Sequence, residues 1–362
     1  MPAGGIMTPK DRFTRLITAT GPISLAQYMA ESNARYYDSR DPLGSAGDFI
    51  TAPEVSQMFG ELIGLWLADI WDRAGRPADV CYVEPGPGRG TLARDALGAA
   101  RRFGLTPRVH FVEASSALGA VQRNLVPDAT WHSDLSTVPD NAPLLIVANE
   151  FLDALPIRQL VRTESGWRER MVGLDGDRLV PTVGDRPMDA AVPAAFADAP
   201  PGTIIETCPA AAAVTGEIAR RLATQGGAAL IIDYGRTEMA TGSTLQALRA
   251  HRHVDPFQHP GEADLTAHVD FSVLPAIARN HGARWLGTLQ QGAFLDALGL
   301  PARAQALCRA APDQAEAIRA AAHRLSAPEA MGALFKVMGL AAPGWPDGAG
   351  FWFSPGFRSG AS

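Results

Sequence analysis

From residue 80 onward the chain alternates short, unbroken apolar runs with stretches of helical spacing, and this alternation narrows the fold more than any other feature. The runs are Val80-Cys81-Tyr82-Val83, Val109-His110-Phe111-Val112, Leu144-Leu145-Ile146-Val147-Ala148 and Ala228-Ala229-Leu230-Ile231-Ile232. A strand that is apolar along its whole length has no face for water, so it belongs in a sheet covered on both sides. A helix through Arg101 after the first run, and another from Ser116 to Leu125 after the second, supply that cover. The expectation is an α/β fold with a parallel sheet of Rossmann-like type, in which ligands sit beyond the carboxyl ends of the strands.

The flanking regions read differently. Residues 1–20 form an arm leading into a helix, and Ile23 to Ala34 has helical spacing with Ser24 placed as N-cap. Arg40 to Phe49 is rich in Gly, Pro and Asp and reads as an ordered loop, followed by a long helix from Glu54 to Ala74 through Met58, Leu62, Leu65 and Ile70. Gly166 to Val180 alternates around an Asp-Gly pair, the pattern of a β-hairpin, and residues 181–203 form a Pro- and Ala-rich surface excursion. Residues 300–330 suggest one or two exposed helices. The tail after Leu340 reads as a loop pinned by Trp345, Phe351, Trp352 and Phe353. The resulting layout is an N-terminal helical cap (1–75), a Rossmann-like core (76–160 and 204–300), an inserted lobe (161–203) and C-terminal helices with a tail (301–362).

Composition excludes several classes. At 362 residues, 46% hydrophobic, the chain can bury a core without metals or disulfides. Its net charge is −6 with the basic residues scattered, so no stripe for nucleic acid is expected. Cys81, Cys208 and Cys308 are sparse and far apart, which fits a reducing compartment, and Cys81 reads as a core residue. No apolar stretch approaches a membrane span, and Met1 to Ile6 lacks the layout of a signal peptide; the expected location is cytoplasmic.

Glu84-Pro85-Gly86-Pro87-Gly88-Arg89-Gly90 directly follows the first run and directly precedes a helix. Glycines at 86, 88 and 90 let a ligand approach the backbone and meet helix N-terminal amides. The spacing is G-x-G-x-G, whereas the dinucleotide fingerprint is G-x-G-x-x-G and position 91 is Thr. Glu84 would repel a pyrophosphate but suits the ammonium and sulfonium of S-adenosylmethionine. Glu113 closes the next strand, where a carboxylate accepts from both ribose hydroxyls. Ser133-Asp134-Leu135 follows the Trp131 strand, a position suited to the adenine amino group. Each carboxylate alone could be a solvated strand end or a cap, but three at successive strand ends favour a cofactor site. The cofactor-binding candidates are Glu84, Gly86, Pro87, Gly88, Gly90, Glu113, Asp134, Leu135 and Asn149.

Asn149-Glu150-Phe151-Leu152-Asp153-Ala154-Leu155-Pro156 follows the third run and should lie beside the transferable methyl. Methyl transfer is an in-line displacement that an enzyme assists by alignment and electrostatics. Were the acceptor an arginine, Glu150 and Asp153 could hold its guanidinium fork; Asp153 could equally cap the turn before Pro156. A second polar cluster comprises His251, Arg252, His253, Asp255, His259, Glu262, Asp264, His268 and Asp270. Its spacing matches no zinc template, so no metal is expected. Following the fourth run, it could close over substrate, with His268 and Asp270 as further catalytic candidates.

These motifs resemble the MidA family of methyltransferases. The resemblance rests on Gly47-Asp48-Phe49-Ile50-Thr51-Ala52-Pro53-Glu54-Val55-Ser56-Gln57-Met58-Phe59-Gly60-Glu61, the glycine loop and the segment Asn149 to Pro156. Gly261-Glu262-Ala263-Asp264-Leu265-Thr266-Ala267-His268-Val269-Asp270-Phe271 and Met331-Gly332-Ala333-Leu334-Phe335-Lys336-Val337 extend it to about Leu340. It departs at Arg35, before Tyr36-Tyr37, where members usually carry glycine. The resemblance implies a class I methyltransferase fold and S-adenosylmethionine as cofactor. The family includes a mitochondrial enzyme that dimethylates an arginine of a respiratory complex I subunit, which implies a protein substrate. A small-metabolite methyltransferase, a cofactor-binding assembly factor without transfer and, furthest off, a nicotinamide dehydrogenase are the rivals. No nucleic acid or membrane insertion is expected, and a homodimer is left open.

Overall fold

Every one of the four apolar runs is a strand of one sheet. The computed structural model describes residues 7–39 and 51–351; the expected loop Arg40–Phe49, the first four residues of the Gly47–Glu61 motif, and Trp352 and Phe353 lie outside the described residues. The chain divides into two compact units. One comprises Ile50–Leu152, Ala212–Thr237 and Val269–Ser362, the other Met1–Phe49, Asp153–Ala211 and Glu238–His268.

The first of these holds the main sheet. Its strands are β1 (Cys81–Pro85), β2 (Arg108–Val112), β3 (Thr130–His132), β4 (Leu144–Asn149), β5 (Gly227–Arg236), β6 (Arg284–Gln290) and β7 (Phe335–Ala341), in the order β6-β7-β5-β4-β1-β2-β3, with Val269–Asp270 alongside β5. β5, β4, β1, β2 and β3 run parallel, so their carboxyl ends share one edge. Ala228 to Ile232 are completely buried, as a strand covered on both faces must be. The sheet is nevertheless mixed rather than parallel, because β7 is antiparallel to both β5 and β6. Met338 and Leu340 pair with Ile231 and Ala229, a pairing that depends on contacts far along the chain.

The helix expected from Glu54 to Ala74 is split into Ala52–Val55 and Gln57–Arg73. Ser56 is extended between them, and its hydroxyl accepts from the Met58 amide, capping the longer helix. That helix belongs with the sheet and not with an N-terminal cap ending at residue 75. The reason is close packing on the helix Thr91–Ala100: a Cβ at Gly64 would lie 2.0 Å from the Ala96 carbonyl oxygen. Only glycine permits this approach. Helices Leu300–Ala310 and Ala315–Ser326 appear where expected, and the tail is anchored as expected by buried Phe351, whose ring lies 5.4 Å from that of Phe294.

The second unit contains helices Pro9–Thr20 and Leu25–Ser39 and an antiparallel sheet. In that sheet Gly166–Asp175 and Arg178–Pro187 form the expected hairpin around Gly176 and Asp177, with Gly176 at φ 60° as a tight turn requires. Ser24 accepts from the Gln27 amide at 3.1 Å, so it caps its helix as read from the sequence. Phe13, Ile17, Tyr28, Met29, Val172 and Leu265 share the core of this unit. The His- and Asp-rich segment expected as a loop is partly strand here: Gln246–Arg249 pairs with Arg252–Val254 and Asp264–Thr266. Ala250 and His251, both at positive φ, make the two-residue turn.

Candidate functional site

The carboxyl ends of β1, β2 and β3 are tied into one polar edge. Gly86, Gly88 and Gly90 all have positive φ (62°, 55° and 87°), so the loop winds through left-handed positions that glycine adopts without strain. Pro87 sits between the first two, and the Gly90 amide donates to its carbonyl at 2.8 Å. A Cβ at Gly86 would lie 2.7 Å from the Phe151 ring, so a side chain there is excluded on space as well. The Gly86 amide donates to the Val112 carbonyl and the Glu113 amide to the His132 carbonyl, fastening each strand end to the next.

Glu84 is buried, and Tyr82 donates a 2.6 Å hydrogen bond to its Oε2. Burial pushes the Glu84 carboxyl up to about 8, against the opposing pull of the Tyr82 hydroxyl. Glu113 is raised too, chiefly by burial, with the Ser115 amide and Gln122 acting in the other direction. Its Oε1 accepts from the Ser115 amide at 2.7 Å and its Oε2 from Gln122 at 3.1 Å. A carboxylate offers about four acceptor positions, so both oxygens can still accept from hydroxyls. The side chain of Gln122 also donates to the Gly88 carbonyl at 2.7 Å and accepts from Trp131 Nε1 at 2.7 Å. This buried amide thus connects the glycine loop, the β2 end and β3.

Asp134 is exposed, and its Oδ1 accepts from the Ser136 amide at 2.7 Å, capping the short turn Leu135–Thr137. The cap holds the Asp134 carboxyl below its ordinary range. Leu135 is buried behind it, and Arg221 binds the carbonyls of Leu135, Val138 and Pro139.

On the other side of β1, Asn149 ends β4 and Glu150 leaves it at φ 50°, left-handed for a residue with a side chain. Such a conformation costs on the order of 1–3 kcal/mol and is kept where surrounding contacts enforce it. Here the Glu150 amide donates to the Ile232 carbonyl, and Oε1 of Glu150 accepts from the Ala52 amide at 2.9 Å and from Asn149 Nδ2 at 3.2 Å. Among the described residues no donor reaches the buried Asn149 Oδ1, an acceptor that suits a ligand hydroxyl or amine. Asp233, directly after the apolar run of β5, is fully buried and accepts from the Leu152 amide at 2.9 Å, which fixes the turn after Phe151.

The remaining candidates each have partners of their own. Asp270 is engaged by the Ser272 amide and by Arg236, whose guanidinium lies 3.4 Å away. Asp153 and His268 belong to the other unit. There Asp153 is buried and its carbonyl accepts from the Ala267 amide, while the His268 amide donates to Thr244. Glu262 pairs with Arg249 at 3.0 Å, and Tyr37 donates to Asp264 at 2.7 Å.

Sequence reasoning passed over Gln122, Tyr82, Asp233 and Glu54, which accepts from Thr91 Oγ1 at 2.6 Å. Asp233 carried a signal, a lone carboxylate closing an apolar run; Gln122 carried none.

Five parallel strands with a left-handed glycine loop, a buried carboxylate at the end of one strand and a half-buried one at the end of the next define a nucleoside-cofactor fold. Comparison with known proteins makes it specific: the S-adenosyl-L-methionine-dependent methyltransferase family matches residues 62–289, and the chain belongs to that family. It is 36% identical over 336 residues to "Protein arginine methyltransferase NDUFAF7, mitochondrial" of Xenopus tropicalis, covering 83% of this chain and 77% of the relative. The human protein of that name is 36% identical over 346 residues, covering 84% and 77%. A solved methyl transferase from Burkholderia thailandensis bound to S-adenosyl-homocysteine superposes with a TM-score of 0.83 at 28% identity, over 97% of this chain and 98% of that one. The protein is an S-adenosylmethionine-dependent methyltransferase of class I architecture, and the dehydrogenase alternative falls away. Among the described residues no helix is long and apolar enough to cross a membrane.

Proposed function

We propose that the protein transfers methyl groups to an arginine side chain of a partner protein. The observation that carries this reading is the 36% identity, over more than four-fifths of the chain, to relatives named as protein arginine methyltransferases. In the proposed site Gly86, Pro87, Gly88 and Gly90 receive the methionine part of S-adenosylmethionine, with Glu84 beneath its ammonium. Glu113 takes the ribose hydroxyls, Asp134 and Leu135 border the adenine, and Asn149 offers its Oδ1, which no donor reaches among the described residues. The cofactor supplies a sulfonium methyl that a nitrogen displaces in line. Glu150 then orients the acceptor: two donors fix its Oε1, so its carboxylate plane is set before substrate arrives. Asp153 is the proposed second carboxylate, with His268 and Asp270 as supporting groups.

The resemblance of the motifs to the MidA family points to a respiratory complex I subunit as the acceptor. Incubating the enzyme with labelled S-adenosylmethionine and candidate subunits, then mapping the label by mass spectrometry, tests this. Label on an arginine supports the reading. Label only on small molecules from a metabolite extract would replace it with the metabolite alternative.

A further inference from the structure

Two histidines beside the cofactor edge take part in a hydrogen-bond chain whose direction can be deduced. His110 Nδ1 lies 2.9 Å from His132 Nε2, His132 Nδ1 lies 3.1 Å from Thr137 Oγ1, and Thr137 Oγ1 lies 2.8 Å from the Asp134 carbonyl. A carbonyl can only accept, so Thr137 spends its single proton on Asp134 and accepts from His132 Nδ1–H. The other nitrogen of a neutral His132 is then an acceptor, and His110 Nδ1–H donates to it. The reverse direction would take the Thr137 proton from Asp134 and leave a buried N–H at His110 Nε2, which has no partner among the described residues. Orphaned buried N–H groups are rarer than orphaned acceptors.

We propose that His110 and His132 are positioning residues for the adenine end of S-adenosylmethionine, acting through Thr137 to hold the turn that carries Asp134 and Leu135. This rests on the assignment of Asp134 and Leu135 to the adenine. Both rings are neutral in the chain. Burial, His132 across the pair, Arg108 on β2 and Arg221 from the helix Pro209–Gln225 push His110 down to about 4. Burial lowers His132 as well, against the opposing pull of the Thr137 backbone. Arg221 binds the Leu135 carbonyl of the same turn and the Pro139 carbonyl just after it, so the histidine chain and the arginine both hold it.

The chain predicts Nδ1–H tautomers for both rings, which nitrogen-15 correlation spectra of the full-length protein report at neutral pH. Thr137→Val removes the hydroxyl at nearly constant volume and should weaken S-adenosylhomocysteine binding about three- to tenfold. Thr137→Ser should restore it, and thermal unfolding of each variant separates this from a folding defect. His110→Phe, should it fold, repeats the loss by removing the first donor. S-inosylhomocysteine, which lacks the adenine amino group, should be less affected by Thr137→Val. An Nε2–H tautomer in either ring, or unchanged affinity in Thr137→Val while Asp134→Asn still alters the preference between the two ligands, overturns the positioning role. Unchanged preference in Asp134→Asn overturns the adenine assignment instead, and the proposal with it.

Discussion

Tyr82 donates its hydroxyl proton to Glu84 across 2.6 Å in the interior of the sheet unit, two residues apart on one strand. The bond favours the carboxylate, yet burial outweighs it and the group titrates at about 8. In the free enzyme at neutral pH Glu84 is therefore mostly protonated. A cationic ligand reverses that balance, so the proposed cofactor contact makes binding and proton release one event.

Calorimetry of S-adenosylmethionine binding at pH 7, repeated in buffers of different ionisation enthalpy, should show a proton released by the wild type. Glu84→Gln should release less and bind more weakly. Equal release by both proteins would place the titrating group elsewhere.

The same shift fixes a stability trend. The folded value of about 8 lies above the ordinary 4.5, so the folded state binds more protons than the unfolded state between those values. Stability from this group is present below pH 4.5 and falls as pH rises toward 8. Glu84→Gln should thus gain in Tm relative to wild type between pH 5 and pH 8. A constant Tm difference across that range contradicts the assignment.

Gly88→Val puts a β-branched residue at φ 55° in the cofactor loop. We expect loss of S-adenosylmethionine binding beyond calorimetric detection with the circular dichroism spectrum preserved. Unaltered affinity would show that the loop is not the binding surface.

Glu113→Gln keeps an acceptor for Ser115 and removes the charge. Charge-assisted hydrogen bonds contribute about 1.5–3 kcal/mol, so affinity should fall roughly tenfold to a hundredfold. A loss below about threefold would leave Glu113 only its contacts with Ser115 and Gln122.

Glu150→Gln retains an oxygen for the Ala52 and Asn149 donors. Because arginine stays protonated at neutral pH, the lost charge should lower single-turnover methyl transfer on the order of a hundredfold while cofactor affinity holds. Asp153→Asn should show a weaker form of this pattern. Parallel loss of binding and transfer in Glu150→Gln would make Glu150 a cofactor ligand instead.

The parts legible in the sequence were those set by neighbours along the chain. The strand–loop–helix around Gly86, the carboxylates closing β1 and β2, the Ser24 cap and the hairpin at Gly176 all follow from local geometry. What escaped depends on partners far away. The helix after Ser56 joins the sheet unit through the packing of Gly60 and Gly64 on the helix Thr91–Ala100, and Gln122 matters through Gly88, Glu113 and Trp131. Asp270 reads as a catalytic candidate by type, but its contacts with Ser272 and Arg236 were not legible.

The placement of β7 has a consequence for biosynthesis. β5 emerges from the ribosome roughly a hundred residues before its antiparallel neighbour (Phe335–Ala341), and β6 has no hydrogen-bonded place in the sheet until that neighbour arrives. Until then the nascent chain carries a long strand, apolar from Ala228 to Ile232, with one open edge, the state most prone to pairing with another chain. A premature stop before Phe335 would make that state permanent, so truncation products should need chaperone capture or be degraded even though every residue of the glycine loop is intact.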